Sequence, residues 1–169
     1  SRSNNLTVAS DVSDAFVNTP FTVQGNNLYM GASTPATGTE LYKYNNTTGF
    51  SLVKDITPGS KCGYIYNITN AASYVVFVYV DTVNKRNQLW ATTGTSEGTK
   101  LIKSYDNYYA FFSSLTYLNK LLFFTSNTPD YGNELWKTSG TAASTVLVKD
   151  IYTGPTSASP LYLTAFKNQ

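Results

Sequence analysis

Histidine is absent from this 169-residue chain. With it go the commonest general base, every Ser-His-Asp or Cys-His arrangement, and the imidazole on which most transition-metal sites depend. Cys62 is the only cysteine, so no disulfide can form within the chain and no cysteine cluster can hold zinc. That says nothing of compartment, because an oxidising one permits disulfides without requiring them. Charge is scarce: Asp, Glu, Lys and Arg make up 13% of residues, roughly half the share of an ordinary domain. A net charge of +2, with cations scattered one or two at a time, leaves no stripe to neutralise phosphates, so nucleic acid is not an expected partner. No run of 18 apolar residues spans a membrane as a helix, and no apolar i, i+3, i+4, i+7 pattern of useful length predicts any helix. The phosphate-cradling glycine loop and the alternating-acid calcium loop are missing too. No secretory leader is visible, and a first residue of Ser rather than Met reads as a processed chain or a fragment.

What is present is repetition. Glu40-Leu41-Tyr42-Lys43, Gln88-Leu89-Trp90-Ala91 and Glu134-Leu135-Trp136-Lys137 are three versions of one phrase. Each is followed by a second, Leu52-Val53-Lys54-Asp55-Ile56, Leu101-Ile102-Lys103-Ser104-Tyr105 or Leu147-Val148-Lys149-Asp150-Ile151. A period of about 47 residues marks a repeat architecture. Each copy resolves into four short segments rich in aromatic and β-branched residues, separated by Gly, Asn, Pro and Ser, which is the strand signature. The predicted organisation is one repeat domain over 1–169: a leading strand at 8–12, units at 21–56, 68–105 and 115–151, and the start of a fourth at 161–169. Second strands such as Tyr74 to Val80 and Leu121 to Thr125 are apolar continuously, which predicts burial on both faces. Leu135 and Trp136 point to opposite faces of their strand, so burying both requires a neighbouring sheet on each side. The fold class expected is all-β, a β-propeller-type array of four-stranded antiparallel blades.

The phrase Glu134-Leu135-Trp136-Lys137-Thr138-Ser139-Gly140-Thr141 followed by Leu147-Val148-Lys149-Asp150-Ile151 resembles the tandem-repeat proteins that carry the signature Glu-Leu-Trp-x-x-Asp-Gly-Thr. Gln88 to Thr95 is a second good match, and the first copy departs, with Tyr42 for Trp and Asn45-Asn46-Thr47 at the turn. The resemblance covers nearly the whole chain and implies a secreted or surface-attached setting and propeller-like domains. It implies no reaction, because fold does not fix chemistry. The family's Asp before Gly is Ser139 in one copy and Thr93 in another, residues that suit a tight turn.

No catalytic residue, metal site or cofactor is expected. Asp55 and Asp150, like Glu40 and Glu134, recur at fixed repeat positions, where a carboxyl serves its own unit as an acceptor for loop N–H groups. Leu41, Leu89, Leu135, Trp90 and Trp136 are the repeated core positions. Cys62 reads as a small side chain between two units. The Asn-x-Ser/Thr tripeptides at Asn5, Asn45, Asn46 and Asn67 arise readily by chance in so Asn- and Thr-rich a chain. The candidate binding residues are tyrosines in or near inter-strand loops: Tyr64, Tyr66, Tyr105, Tyr108, Tyr109, Tyr131 and Tyr152. Rings among Asn, Thr and Ser suit a sugar or a protein surface. Expected partners are glycans or other extracellular proteins, with weak sites on successive units gaining strength by multivalency. The competing expectation is a structural subunit that self-associates by pairing its unfinished terminal strands.

Overall fold

The computed structural model describes residues 21–60, 63–107 and 110–166. The strand expected at 8–12 and residues Cys62, Tyr108 and Tyr109 lie outside the described residues. Three antiparallel four-stranded sheets follow one another along the chain, with no helix among the described residues. The first holds β1 (Thr22–Gln24), β2 (Asn27–Thr34), β3 (Gly38–Asn45) and β4 (Gly49–Lys54). The second holds β5 (Gly63–Asn70), β6 (Val75–Asp81), β7 (Arg86–Thr92) and β8 (Thr99–Tyr105). The third holds β9 (Phe112–Leu118), β10 (Leu121–Thr128), β11 (Gly132–Thr138) and β12 (Val146–Lys149). Each is a simple meander in chain order, so every connection is a hairpin turn.

The second and third units begin earlier than the sequence pattern suggests, at Gly63 rather than Ile68 and at Phe112 rather than Leu115. The cause is a bulge inside each first strand. Asn67 and Ser114 take positive φ (52° and 54°), and pairing with the second strand slips there. An extra residue breaks the two-residue alternation, so only the half of the strand after the bulge reads as a strand.

A second bulge explains the repeated phrases. Between the third and fourth strands the register shifts at Leu41/Tyr42, at Leu89/Trp90 and at Leu135/Trp136. Leu52, Leu101 and Leu147 pair opposite Tyr42, Trp90 and Trp136, leaving Val53, Ile102 and Val148 as the inserted residues. Each unit thereby has two apolar faces, one carrying the Leu of the Leu-Trp pair with the bulged residue, the other carrying the aromatic. We call these the front and the back.

Front meets back at both junctions. Tyr29, Leu41 and Val53 of the first sheet close against Ile65, Ile68, Val75, Phe77 and Tyr79 of the second. Val76, Val78, Leu89 and Ile102 of the second close against Phe112, Leu122, Phe124 and Trp136 of the third. β6 is therefore buried along its whole length, as its unbroken apolar run predicts. Between sheets, the close backbone approaches centre on first strands, β5 lying against β1, β2 and β3, and β9 against β5. Side-chain amides tie these strands together: Asn70 Nδ2 donates to Val23 O (2.6 Å), Gln24 Nε2 to Ala72 O (3.0 Å) and Asn67 Nδ2 to Phe112 O (3.1 Å).

Candidate functional site

The Thr-x-Gly-Thr turns after the third strands are built alike. Gly94 N donates to Thr92 Oγ1 (2.9 Å) and Thr99 Oγ1 to Thr95 O (2.6 Å); Gly140 N donates to Thr138 Oγ1 (3.0 Å) and Thr145 Oγ1 to Thr141 O (2.7 Å). Both glycines have φ above +90°, a conformation that L side chains rarely adopt. A Cβ on Gly140 would also come within 2.9 Å of the Tyr74 ring. Each turn thus leans on the sheet before it.

Between the second and third sheets this leaning leaves a cleft of about 260 Å³, lined by Tyr74, Ala91, Thr92, Thr93, Lys100 and Ser139 among others. At the first junction the corresponding place is filled. Lys43 aligns with Ala91 through the strand registers, and its Nζ donates to Gly94 O (2.6 Å). The third copy again has lysine, Lys137, so Ala91 is the one short side chain at this position. The cleft exists because that lysine is missing. The Tyr74 hydroxyl is buried with no hydrogen-bond partner among the described residues, and burial, with Tyr117 nearby, pushes its pKa up to about 12. It stays a neutral donor at physiological pH.

Among the described residues, the tyrosines singled out from sequence do not form one exposed surface, although Tyr66 and Tyr105 pack against the same core. Tyr64 and Tyr66 lie on β5 and Tyr105 ends β8. Tyr66 packs against the core of the second junction and bonds Asn87, while Tyr105 stacks on Phe112 (5.2 Å) and its hydroxyl oxygen accepts from Ser126 Oγ at 3.0 Å. Burial raises the pKa of both, that of Tyr105 to about 12. Tyr131 and Tyr152 are exposed, Tyr131 standing edge-on to Trp136 at 6.3 Å. Trp136 is buried at the second junction beneath Lys103, whose Nζ sits 4.3 Å from the ring centre; Trp90 packs against the first junction. The same burial lowers the Lys103 pKa. Tyr74 and Ala91 were missed, although laying Lys43, Ala91 and Lys137 side by side shows the gap.

The recurring carboxyls fasten the linkers between sheets. Glu134 is fully buried and accepts from Ile151 N, Tyr152 N and Ala158 N, all at 3.2 Å. Asp150 accepts from Gly154 N (3.1 Å). Glu40 accepts from Thr57 N (2.9 Å) and from the Tyr79 hydroxyl (3.5 Å), but its Oε2 has no partner among the described residues, nor has Asp55 Oδ1. Burial, reinforced by the charge of Asp55, raises the Glu40 pKa from 4.5 to about 7 despite those hydrogen bonds. Between those values the folded state holds a proton that the unfolded state has released. Stability therefore falls as pH rises from 4.5 to 7 and levels off above. Glu40→Gln copies the Gln88 of the second unit. It is expected to flatten that slope and to stabilise the protein at pH 8 by on the order of 2 kcal/mol, below the full shift because the buried amide brings N–H groups that need partners of their own. Urea melts of both proteins at pH 5 and pH 8 check it; an unchanged slope would place the titration elsewhere. Among the described residues no group of three His, Cys, Asp or Glu converges in a way that could hold a metal ion.

No protein-family model matches this chain, and no curated protein is significantly similar to it in sequence.

Proposed function

We propose that this is a non-enzymatic binding domain of a secreted or surface protein, its units arranged radially as propeller blades, with a carbohydrate as ligand of the cleft beside Tyr74. The radial arrangement is supported by first strands that meet their neighbours along one side. A non-catalytic role is supported by the lack of histidine and by carboxyls occupied with linker N–H groups. The tandem-repeat resemblance supports the extracellular setting and an adhesive role.

The cleft is the observation that carries the ligand. Its lining includes Tyr74, Thr93, Ser139 and Lys100, while the Thr92 hydroxyl is engaged within its own turn by Gly94 N and Thr99 Oγ1. Flat apolar surface beside short hydroxyl donors and acceptors matches the alternating C–H and O–H faces of a sugar, and one cation favours an acidic one. Because the first junction is filled by Lys43, the reading is one site per three units rather than one per repeat. A glycan array at high protein concentration, followed by NMR titration of the best hit, tests this. Ala91→Lys installs the side chain the other two copies carry and is expected to weaken binding at least tenfold, about 1.4 kcal/mol. An array without hits, or a hit indifferent to Ala91→Lys, would remove the proposal.

A further inference from the structure

Chance accounts for the number of Asn-x-Ser/Thr tripeptides in the chain, but the structure sorts those that fall within the described residues. Asn67 sits at the bulge of β5 with a φ of 52°, and its Nδ2 donates to Phe112 O (3.1 Å) across the second junction. A sugar on that nitrogen would have to pass between β5 and β9. Asn45 is built into its own hairpin. Its Oδ1 accepts from Thr47 N (2.9 Å), and its Nδ2 donates to Asn26 O (3.0 Å) and Asn27 Oδ1 (3.2 Å). Asn46 differs from both. It stands in the turn between β3 and β4, exposed together with Thr47 and Thr48, and its side chain makes no hydrogen bond among the described residues.

The same turn stands on an apolar seat. Tyr44 and Phe50 pair across β3 and β4 at its foot, their ring centres 4.9 Å apart, and Phe50 is 49% exposed. Asn46 follows Tyr44 by two residues, and Thr48 precedes Phe50 by two. The acceptor amide, the hydroxyl that completes its tripeptide and the two rings therefore belong to one hairpin end. In the second and third units this place is taken by the Thr-x-Gly-Thr turn, which holds no asparagine. The departure of the first copy from the repeated phrase is thus also what creates the acceptor.

We propose that Asn46 is an attachment site for an N-linked glycan whose first N-acetylglucosamine lies against Tyr44 and Phe50. In the transfer, Asn46 Nδ2 attacks C1 of the first sugar of a lipid-pyrophosphate oligosaccharide. The N–C1 bond forms, the C1–O bond to the pyrophosphate breaks, and the nitrogen gives up one proton as the lipid pyrophosphate leaves. The Thr48 hydroxyl completes the tripeptide that the transferring enzyme reads, and an exposed turn is where that enzyme finds it. Once attached, the C–H face of the sugar covers ring surface that otherwise faces water. The inference rests on the extracellular part of the reading above and not on the cleft, which lies between the second and third sheets.

Secretion from animal cells behind a supplied leader tests the acceptor, with Asn5→Gln throughout because Asn5 lies outside the described residues. Mass spectrometry of the secreted protein is expected to show one glycan, mapped to Asn46. Thr48→Ala destroys the Asn46 tripeptide while leaving that of Asn45 whole, and it is expected to abolish the glycan. A glycan that survives Thr48→Ala, a glycan at Asn67, or a secreted chain carrying none overturns the proposal. Because the leader is supplied, those outcomes leave the extracellular reading standing. Trimming tests the seat. Glycosylated protein of the high-mannose type, cut by an endoglycosidase that leaves the first N-acetylglucosamine, is expected to melt about 2 °C above the same chain made without sugar in bacteria. Equal melting temperatures would detach the sugar from the two rings and overturn the placement proposed for it.

Discussion

Phe124→Ala is expected to lower the free energy of unfolding by about 4 kcal/mol, and Phe123→Ala, its immediate neighbour, by less than half of that. The two rings are identical in chemistry and share a strand. What separates them is the face on which they stand. Phe124 is fully buried at the second junction, 5.9 Å from Phe112 and against the front of the second sheet. Removing its ring leaves a cavity that surrounding β-sheet cannot collapse to fill. Phe123 stands on the front of the third sheet and is only partly buried, so water fills the space its ring leaves. Denaturant titration of both variants under conditions where the protein is monomeric measures the difference. Equal losses would mean that the front of the third sheet is as well covered as its back.

How much of this the sequence carries depends on what fixes each feature. The Leu-Trp and Leu-Val-Lys phrases mark strands three and four because opposite faces of one strand must both be apolar if sheets are stacked, and that demand is written in every copy. The second strands are legible for the same reason, Val75 to Val80 having no polar residue at which to break. The bulges are not legible. They are set by how two strands pair, and Asn67 and Ser114 look in sequence like turn residues, which is why Tyr66 reads as part of a loop when it lies on β5 and faces the core. Tyr105 is similar: its position at the end of β8 suggests exposure, but the third sheet arrives over it and Phe112 stacks on its ring. The cleft beside Tyr74 depends on an absence, Ala91 in place of a lysine, and an absence is visible only when copies are compared position by position. The roles of Glu40 and Glu134 were legible in kind, since a carboxyl recurring at one repeat position must serve its own unit. Which N–H groups they hold was not, because the bonds run 17 or more residues along the chain to a linker without regular structure.

Those bonds make Glu134 the residue whose loss should be felt farthest from its own position. Its carboxyl gathers Ile151, Tyr152 and Ala158, while Asn133 beside it accepts from Ser159 N (2.9 Å) and donates its own N–H to Ser157 Oγ (2.9 Å). One pair of β11 residues thereby holds a linker that has no strand partner. Glu134→Ala removes three acceptor contacts and opens a hole at a fully buried position. Each N–H left without a partner costs about 1–3 kcal/mol, with the lower end apt here because Ile151 and Tyr152 lie at the surface and water can reach them. The expected loss is about 3 kcal/mol. Glu134→Gln keeps one acceptor oxygen of the same shape and should lose roughly half as much. Limited proteolysis separates the local effect from the global one: the alanine variant is expected to be cut between residues 150 and 158 under conditions where the remainder of the chain survives. If cleavage there is no faster than in the parent protein, the linker is held by something other than Glu134, and the same doubt would extend to Glu40 at the first junction.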